Sequence, residues 1–192
     1  MARDDVLNVM THVDPVRVPR TDAPAGAIQG FLRGAGLDLV ESQYLLYVDR
    51  SPRRQLALVG FYDARTGRVL PVGVDLISSG NIAKSGDYYV TPTGVFENLV
   101  ENFGYRAQGT PNKDGWLGLG AKGSRVWDFG YAKSQRMYQG APTLSEMRLL
   151  IHSTDPAQGE RRLGRMDSKG CVRVSSGLNA FLDIHSILDK NY

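Results

Sequence analysis

Residues 44–77 read YLLYVDRSPRRQLALVGFYDARTGRVLPVGVDLI, and this run decides the fold class. Three stretches rich in Leu, Val, Tyr and Phe stand at 44–49, 55–62 and 69–77. Such residues suit the pleated, half-buried surface of a sheet. Two breakers separate them: a polar turn at 50–54 containing Pro52, and 63–68 around Thr66-Gly67. Strand, tight turn, strand, tight turn and strand make an antiparallel meander. Pro71 lacks the N–H that an inner strand donates, so it puts the third run at a strand end or a sheet edge.

Toward the N-terminus, residues 25–40 (AGAIQGFLRGAGLDLV) suggest a short helix weakened by four glycines. Residues 1–24 mix charge, Pro and small polar residues without a period and read as a loosely held arm. Toward the C-terminus, 78–87 is a polar loop, and 89–97 (YVTPTGVFE) reads as a turn leading into another strand. Residues 98–144 carry many glycines and aromatics, among them Tyr105, Trp116, Trp127, Phe129, Tyr131 and Tyr138, without a clear period. Two readings stay open there: a long irregular lid or binding insert, or short strands and turns packed by the aromatics. Residues 147–152 (MRLLIH) read as a buried strand, 155–167 as a loop with three arginines, and 170–174 as a further strand. Leu178, Phe181, Leu182, Ile184, Ile187 and Leu188 then recur at helical spacing over 176–190, with Ser175 or Ser176 as N-cap. The expectation is one mostly-β domain over 25–192, closed by a C-terminal helix and preceded by the arm.

Composition narrows the function classes. Hydrophobic residues make up 42% of the 192 residues and charged ones 22%, ordinary for a chain with one good core. A formal net charge of +3 is too small to argue for nucleic acid. One cysteine excludes an intramolecular disulfide. No run reaches the length of a membrane-spanning helix. The first residues, MARDDVLNVMTHVDPVRVPRTDAP, lack the apolar core of a secretory leader. A periplasmic or envelope location follows if a leader has been removed ahead of them, and a cytoplasmic one if not.

Chemistry concentrates in residues 151–174, IHSTDPAQGERRLGRMDSKGCVRV. His152 ends an apolar strand, and fifteen residues separate it from Ser168-Lys169-Gly170-Cys171, with Arg173 beyond. A thiol near its usual pKa of ~8.5 is mostly protonated at neutral pH, and a neighbouring imidazole can take that proton. Gly170 lets a substrate carbonyl come close to the backbone. The N–H groups around Gly170 and Cys171 are candidates for an oxyanion hole. Arg173, two residues past the cysteine, shares its face of a strand and suits a carboxylate. A Cys and a His nineteen positions apart carry little alone; the joint pattern S-x-G-C-x-R carries the reading.

That segment resembles the signature of L,D-transpeptidases of the YkuD type: a His, some fourteen to seventeen residues, then Ser/Thr-His-Gly-Cys, an apolar residue and Asn or Arg. Upstream, Thr91, Pro92, Gly94 and Phe96 in DYYVTPTGVF are similar to the family's T-P-x-G-x-F element, and 69–80 to the strand and SxG loop before it. The resemblance covers roughly 44–174. It implies an L,D-transpeptidase-like β-sandwich with the cysteine in a cleft, and no metal or organic cofactor. It implies that Cys171 attacks the diaminopimelate carbonyl of a peptidoglycan tetrapeptide stem, expels the terminal D-alanine and passes the acyl group to an amine. It makes His152 the general base and the Ser153 carbonyl the group that orients it. Gly170 supports the cysteine, and Ser168, Lys169 and Arg173 border the substrate. Lys169 departs from the pattern, which has His at that position. Two alternatives stand beside the transpeptidase: an L,D-carboxypeptidase of wall recycling, and a degenerate domain that only binds muropeptides.

Overall fold

A computed structural model of the chain describes residues 28, 30, 34, 41–84 and 86–189. Strands β1 (Gln43–Asp49), β2 (Leu56–Asp63) and β3 (Arg68–Leu76) form the expected meander, in the order β1-β2-β3 with antiparallel pairing. The register of β2 and β3 shifts at Val59/Gly60, and Pro71 faces Gly60 there. The proline therefore sits on an edge strand at a bulge, where its missing N–H costs little. Along β2, Ala57 and Val59 point to one face and Leu58 to the other, and all three are buried. This two-sided burial explains why residues 55–62 read as a continuous apolar run.

The second sheet has the order β4-β5-β6-β7, from β4 (Tyr105–Arg106), β5 (Arg125–Tyr138), β6 (Ala141–Ser153) and β7 (Val172–Val174). From residue 125 on, the stretch left open between an insert and short strands is thus part of a long hairpin. Its turn is Gln139-Gly140, with φ of 51° and 81°. Positive φ at both residues matches the strand twist of a two-residue hairpin. The period was hidden because β5 carries polar residues on its exposed half and breaks register between Asp128 and Tyr131. Gly130 takes φ 72° at that bulge, and its N–H donates to Asp128 Oδ1 at 2.9 Å. Irregular structure remains between residues 107 and 124.

Residues 89–97 do not form the expected strand; only Tyr89 makes a bridge, to Arg136. Pro92 and Gly94 (φ 153°) break the ladder, and the segment crosses the second sheet as a strap. Val90 N–H donates to Gln135 O at 2.9 Å, and Ser134 Oγ donates back to Val90 O.

β7 runs parallel to β6, pairing Ile151 with Val172, His152 with Arg173 and Ser153 with Val174. Ser78, just past β3, exchanges both backbone hydrogen bonds with Arg173 at 2.9 Å each, so β7 joins the two sheets. Helix α1 (Ser176–Ile184) follows, with Ser175 as N-cap accepting from Leu178 N–H at 2.9 Å. Leu178, Phe181 and Leu182 project from one helical face into the core. That core joins Ala57, Val59 and Ile77 of the first sheet to Trp127, Ile151 and Val172 of the second. Fully burying a side chain such as Phe181 contributes about 1.5–3 kcal/mol. The helix stops at Ile184 rather than near 190, and Ile187 reaches the core from the turns that follow. Of the helix expected over 25–40, Ile28, Gly30 and Gly34 are described and are helical; the arm over 1–24 lies outside the described residues.

Candidate active site

Strand parity builds the site. On β6, Met147, Leu149 and Ile151 are buried toward the interior, so Arg148, Leu150 and His152 take the opposite face. Val172 and Val174 point into the core, which leaves Cys171 and Arg173 on that same opposite face. Cys171 stands one diagonal step from His152 across the parallel pair. Diagonal neighbours of this kind lie about 7–8 Å apart at Cα, within reach of two side chains that lean together.

His152 is 4% exposed, and its Nδ1 lies 2.7 Å from the Ser153 carbonyl. A carbonyl can only accept, so Nδ1 carries the proton and Nε2 is the basic nitrogen. Burial pushes the imidazole down to about 4; the Ser153 carbonyl opposes this, and the charge of Arg173 adds to it. The half-buried Cys171 thiol faces the Arg148 carbonyl at 3.8 Å. Burial pushes this thiol up from its ordinary value. The N–H groups of Leu150 and Cys171 and the Arg173 guanidinium oppose the rise, while Asp128 adds to it. Burial thus favours a neutral thiol and a neutral imidazole on this face. Two such groups, once brought into contact, can act by general-base catalysis, with proton transfer during attack.

The cysteine loop is held from below. Ser168, 1% exposed, donates to Cys171 O at 2.6 Å and accepts from Gly170 N–H at 3.0 Å. Ser168 therefore braces the loop. The Gly170 N–H donates to that brace. The Cys171 N–H, which favours the thiolate of its own side chain, is the other donor at that position. Gly170 has φ 134°, and a Cβ there would stand 2.8 Å from Met147 Sδ and 3.1 Å from Tyr89 Cβ.

The two sequence motifs meet at this loop. Thr91 Oγ1 accepts from Gly80 N–H at 2.8 Å and donates to Gly170 O at 2.7 Å. Gly80 packs so tightly that a Cβ would fall 1.9 Å from Tyr89 O and 2.9 Å from Gly170 Cα. Ser79 O accepts from Asp167 N–H and Ser168 N–H at 2.9 Å each. Gln55, fully buried at φ 48°, holds Ser79 through Nε2 (2.9 Å to Oγ) and Oε1 (2.8 Å from N). A chain of contacts thus runs from the meander through Gln55, Ser79, Gly80 and Thr91 to Gly170.

Lys169 is exposed, with Nζ 5.7 Å from the Tyr88 ring, and Arg173 is the cation that acts on the thiol. Arg173 is not free: its Nη1 lies 3.4 Å from Asp167 Oδ2. On the other side, Asp128, fully buried, pairs with Arg148, and Tyr105 sits in the field of Arg148, Asp128 and Cys171. Sequence reading missed Asp128, Arg148 and Tyr105. Arg148 lies on the His152 face by simple alternation, and Asp128 interrupts an apolar strand. Both signals were present without a partner to give them meaning.

The irregular segment is anchored onto the strand end that bears His152. Leu117 N–H donates to Asp155 Oδ2 at 3.0 Å, and a Cβ at Gly120 would fall 1.8 Å from Ser153 Oγ. Among the described residues no group of three or more His, Cys, Asp or Glu is placed to hold a metal ion, and no helix is long and apolar enough to cross a membrane. Compared with known families and proteins, the chain matches no family model and no curated protein.

Proposed function

We propose that this chain is a cysteine acyltransferase of the L,D-transpeptidase type, with the corresponding β-sandwich fold, acting on peptidoglycan tetrapeptide stems in the cell envelope. One observation carries the reading. His152 gives its Nδ1 proton to the Ser153 carbonyl, leaving basic Nε2 on the sheet face it shares with Cys171. A core histidine needs only to satisfy its polar atoms; this one leaves a ring nitrogen on the sheet face that carries the only thiol of the chain.

The Cys171 sulfur swings from the Arg148 carbonyl toward Nε2 and attacks the diaminopimelate carbonyl as Nε2 takes its proton. The Cys171 N–H receives the developing oxyanion. The C–N bond to D-alanine breaks, and the imidazolium returns the proton to the leaving amine. An acceptor amine then gives a proton to Nε2, attacks the thioester and restores the thiol. With water as acceptor the same steps yield a tripeptide.

Incubation with disaccharide tetrapeptide, resolved by mass, tests the proposal. Crosslinked dimers mark a transpeptidase and tripeptide alone a carboxypeptidase. An unchanged substrate rejects both enzymatic readings. Activity surviving in Cys171→Ala would remove the nucleophile from the scheme.

A further inference from the structure

Asp167 is one carboxylate among three cations. Lys84 Nζ pairs with its Oδ1, Arg162 Nη2 reaches the same oxygen at 2.6 Å, and Arg173 Nη1 stands 3.4 Å from Oδ2. Asp167 is 7% exposed, whereas the Lys84 and Arg162 side chains are 35% and 37% exposed. The inner atom of the cluster is covered and its cationic rim is open. Lys84 and Lys169 flank one ring, Tyr88, at 5.6 and 5.7 Å, which adds a fourth cation at the edge. Other acids near these elements make their contacts elsewhere, Asp87 with Arg136. Asp155 accepts the N–H groups of Leu117, Ala157 and Gln158, and Glu160 accepts that of Ser176.

The cluster is also preorganised. The Arg162 guanidinium lies 4.9 Å above the Trp116 ring, and Asp167 occupies one of its terminal nitrogens. A guanidinium has five N–H donors, so most of the fork stays available and its plane is set by the stack. Arg173 connects the cluster to the chemistry, since it is the register partner of His152 and the cation that acts on Cys171. An excess of fixed, partly desolvated cations beside a nucleophile is a device for holding an anion.

We infer that Arg162 and Lys84, organised by Asp167 with Arg173 as the inner wall, form a subsite that binds a carboxylate of the acyl donor. The inference rests on the acyl-transfer reading for the identity of that donor. A tetrapeptide stem offers two internal sources, the α-carboxylate of D-glutamate and the side-chain carboxylate of diaminopimelate.

Calorimetric titration of the Cys171→Ala protein with three synthetic tetrapeptides decides it: the parent, and forms amidated at one or the other carboxylate. One amidation weakens binding about tenfold, the scale of a charge-assisted hydrogen bond. Arg162→Gln weakens the parent by a similar factor and leaves that amide unaffected, while Arg162→Lys restores part of the loss. Equal binding of all three peptides, no binding of the parent, or an equal loss for all three in Arg162→Gln overturns the subsite. Turnover of the parent by the wild-type protein is read separately. Turnover without discrimination keeps the acyl transferase and removes the subsite; discrimination without turnover does the reverse.

Discussion

Replacing Thr91 by valine removes one hydroxyl from the junction of the two motifs and almost nothing else. The side chain is 3% exposed, and its oxygen closes two hydrogen bonds, from Gly80 N–H at 2.8 Å and to Gly170 O at 2.7 Å. Valine keeps the branched shape but offers a methyl where those backbone groups need a partner. Gly80 and Gly170 are both buried, so water does not replace the lost oxygen. Each stranded group costs about 1–3 kcal/mol, which gives Thr91→Val a loss of about 2–6 kcal/mol. Thr91→Ser keeps the hydroxyl, gives up one methyl and loses about 1 kcal/mol. Urea unfolding at pH 7 measures both. A slope of about 2 kcal/mol per molar turns the valine loss into a midpoint shift of about 1–3 M. The second readout is local: iodoacetamide alkylation of Cys171 in native buffer accelerates in Thr91→Val, because the loosened loop exposes the thiol. A valine variant that loses under about 1 kcal/mol and alkylates at the wild-type rate would falsify the idea that Thr91 is the tie between the strap and the cysteine loop.

Three further outcomes follow from single groups. His152, pushed down to about 4 by burial, binds its proton less tightly folded than unfolded. Its stabilising contribution is therefore complete above the ordinary histidine value of about 6.5 and disappears as pH falls toward 4, on the order of 3 kcal/mol. Unfolding free energies of wild type and His152→Gln should converge over that range, and parallel curves would count against a buried neutral ring. Asp75, 8% exposed, is shifted the other way: burial raises it, the Ser175 hydroxyl and Leu76 N–H oppose, and Glu160 adds to the rise. A raised folded value favours the protonated form, so its contribution is best at acid pH and is lost as pH rises. Asp75→Asn should then raise the melting temperature at pH 7 but not at pH 3; a pH-independent change rejects this. Gly80→Ala, with its Cβ 1.9 Å from Tyr89 O, costs about 3 kcal/mol or more, and a native-like melting curve for that variant would refute the packing described.

Much of the framework is legible in residue types, and the losses have physical causes. The meander reads clearly because Leu58 and its neighbours are buried on both faces and the turns are marked by Pro52 and Gly67. The hairpin of β5 and β6 was lost because pairing with a distant strand, not local preference, makes YAKSQRMY extended. The strap at 89–97 has strand-like residues whose hydrogen bonds go to two different elements, a tertiary arrangement that no local pattern encodes. At the site, His152, Cys171 and Arg173 could be named from the joint pattern S-x-G-C-x-R behind an upstream His, and Ser153 from the family resemblance. Their partners could not: Asp167, Asp128 and Gln55 matter through what they touch after folding. Lys169 drew attention as a departure from a pattern, yet its exposed position over Tyr88 leaves the electrostatic role to Arg173.

In the proposed acyl transfer, Arg173 acts on both members of the pair in opposite senses. Its charge favours the thiolate of Cys171 and disfavours the imidazolium of His152. Attack needs both ions at once, so an uncompensated Arg173 helps the nucleophile and hinders the base. A carboxylate bound on the Lys84–Arg162 rim would cancel part of that field and ease protonation of His152. The acid limb of kcat/KM reports the free enzyme and that of kcat the complex. With the carboxylate-bearing donor, the limb of kcat should lie above that of kcat/KM. Substrate burial acts on the ring in the same way for a donor and its amide, so comparing the two isolates the charge. The limb of kcat should be lower for the amide that loses the rim contact. If both donors give the same limb, the rim and the base are electrostatically independent, and Arg173 serves the thiol alone.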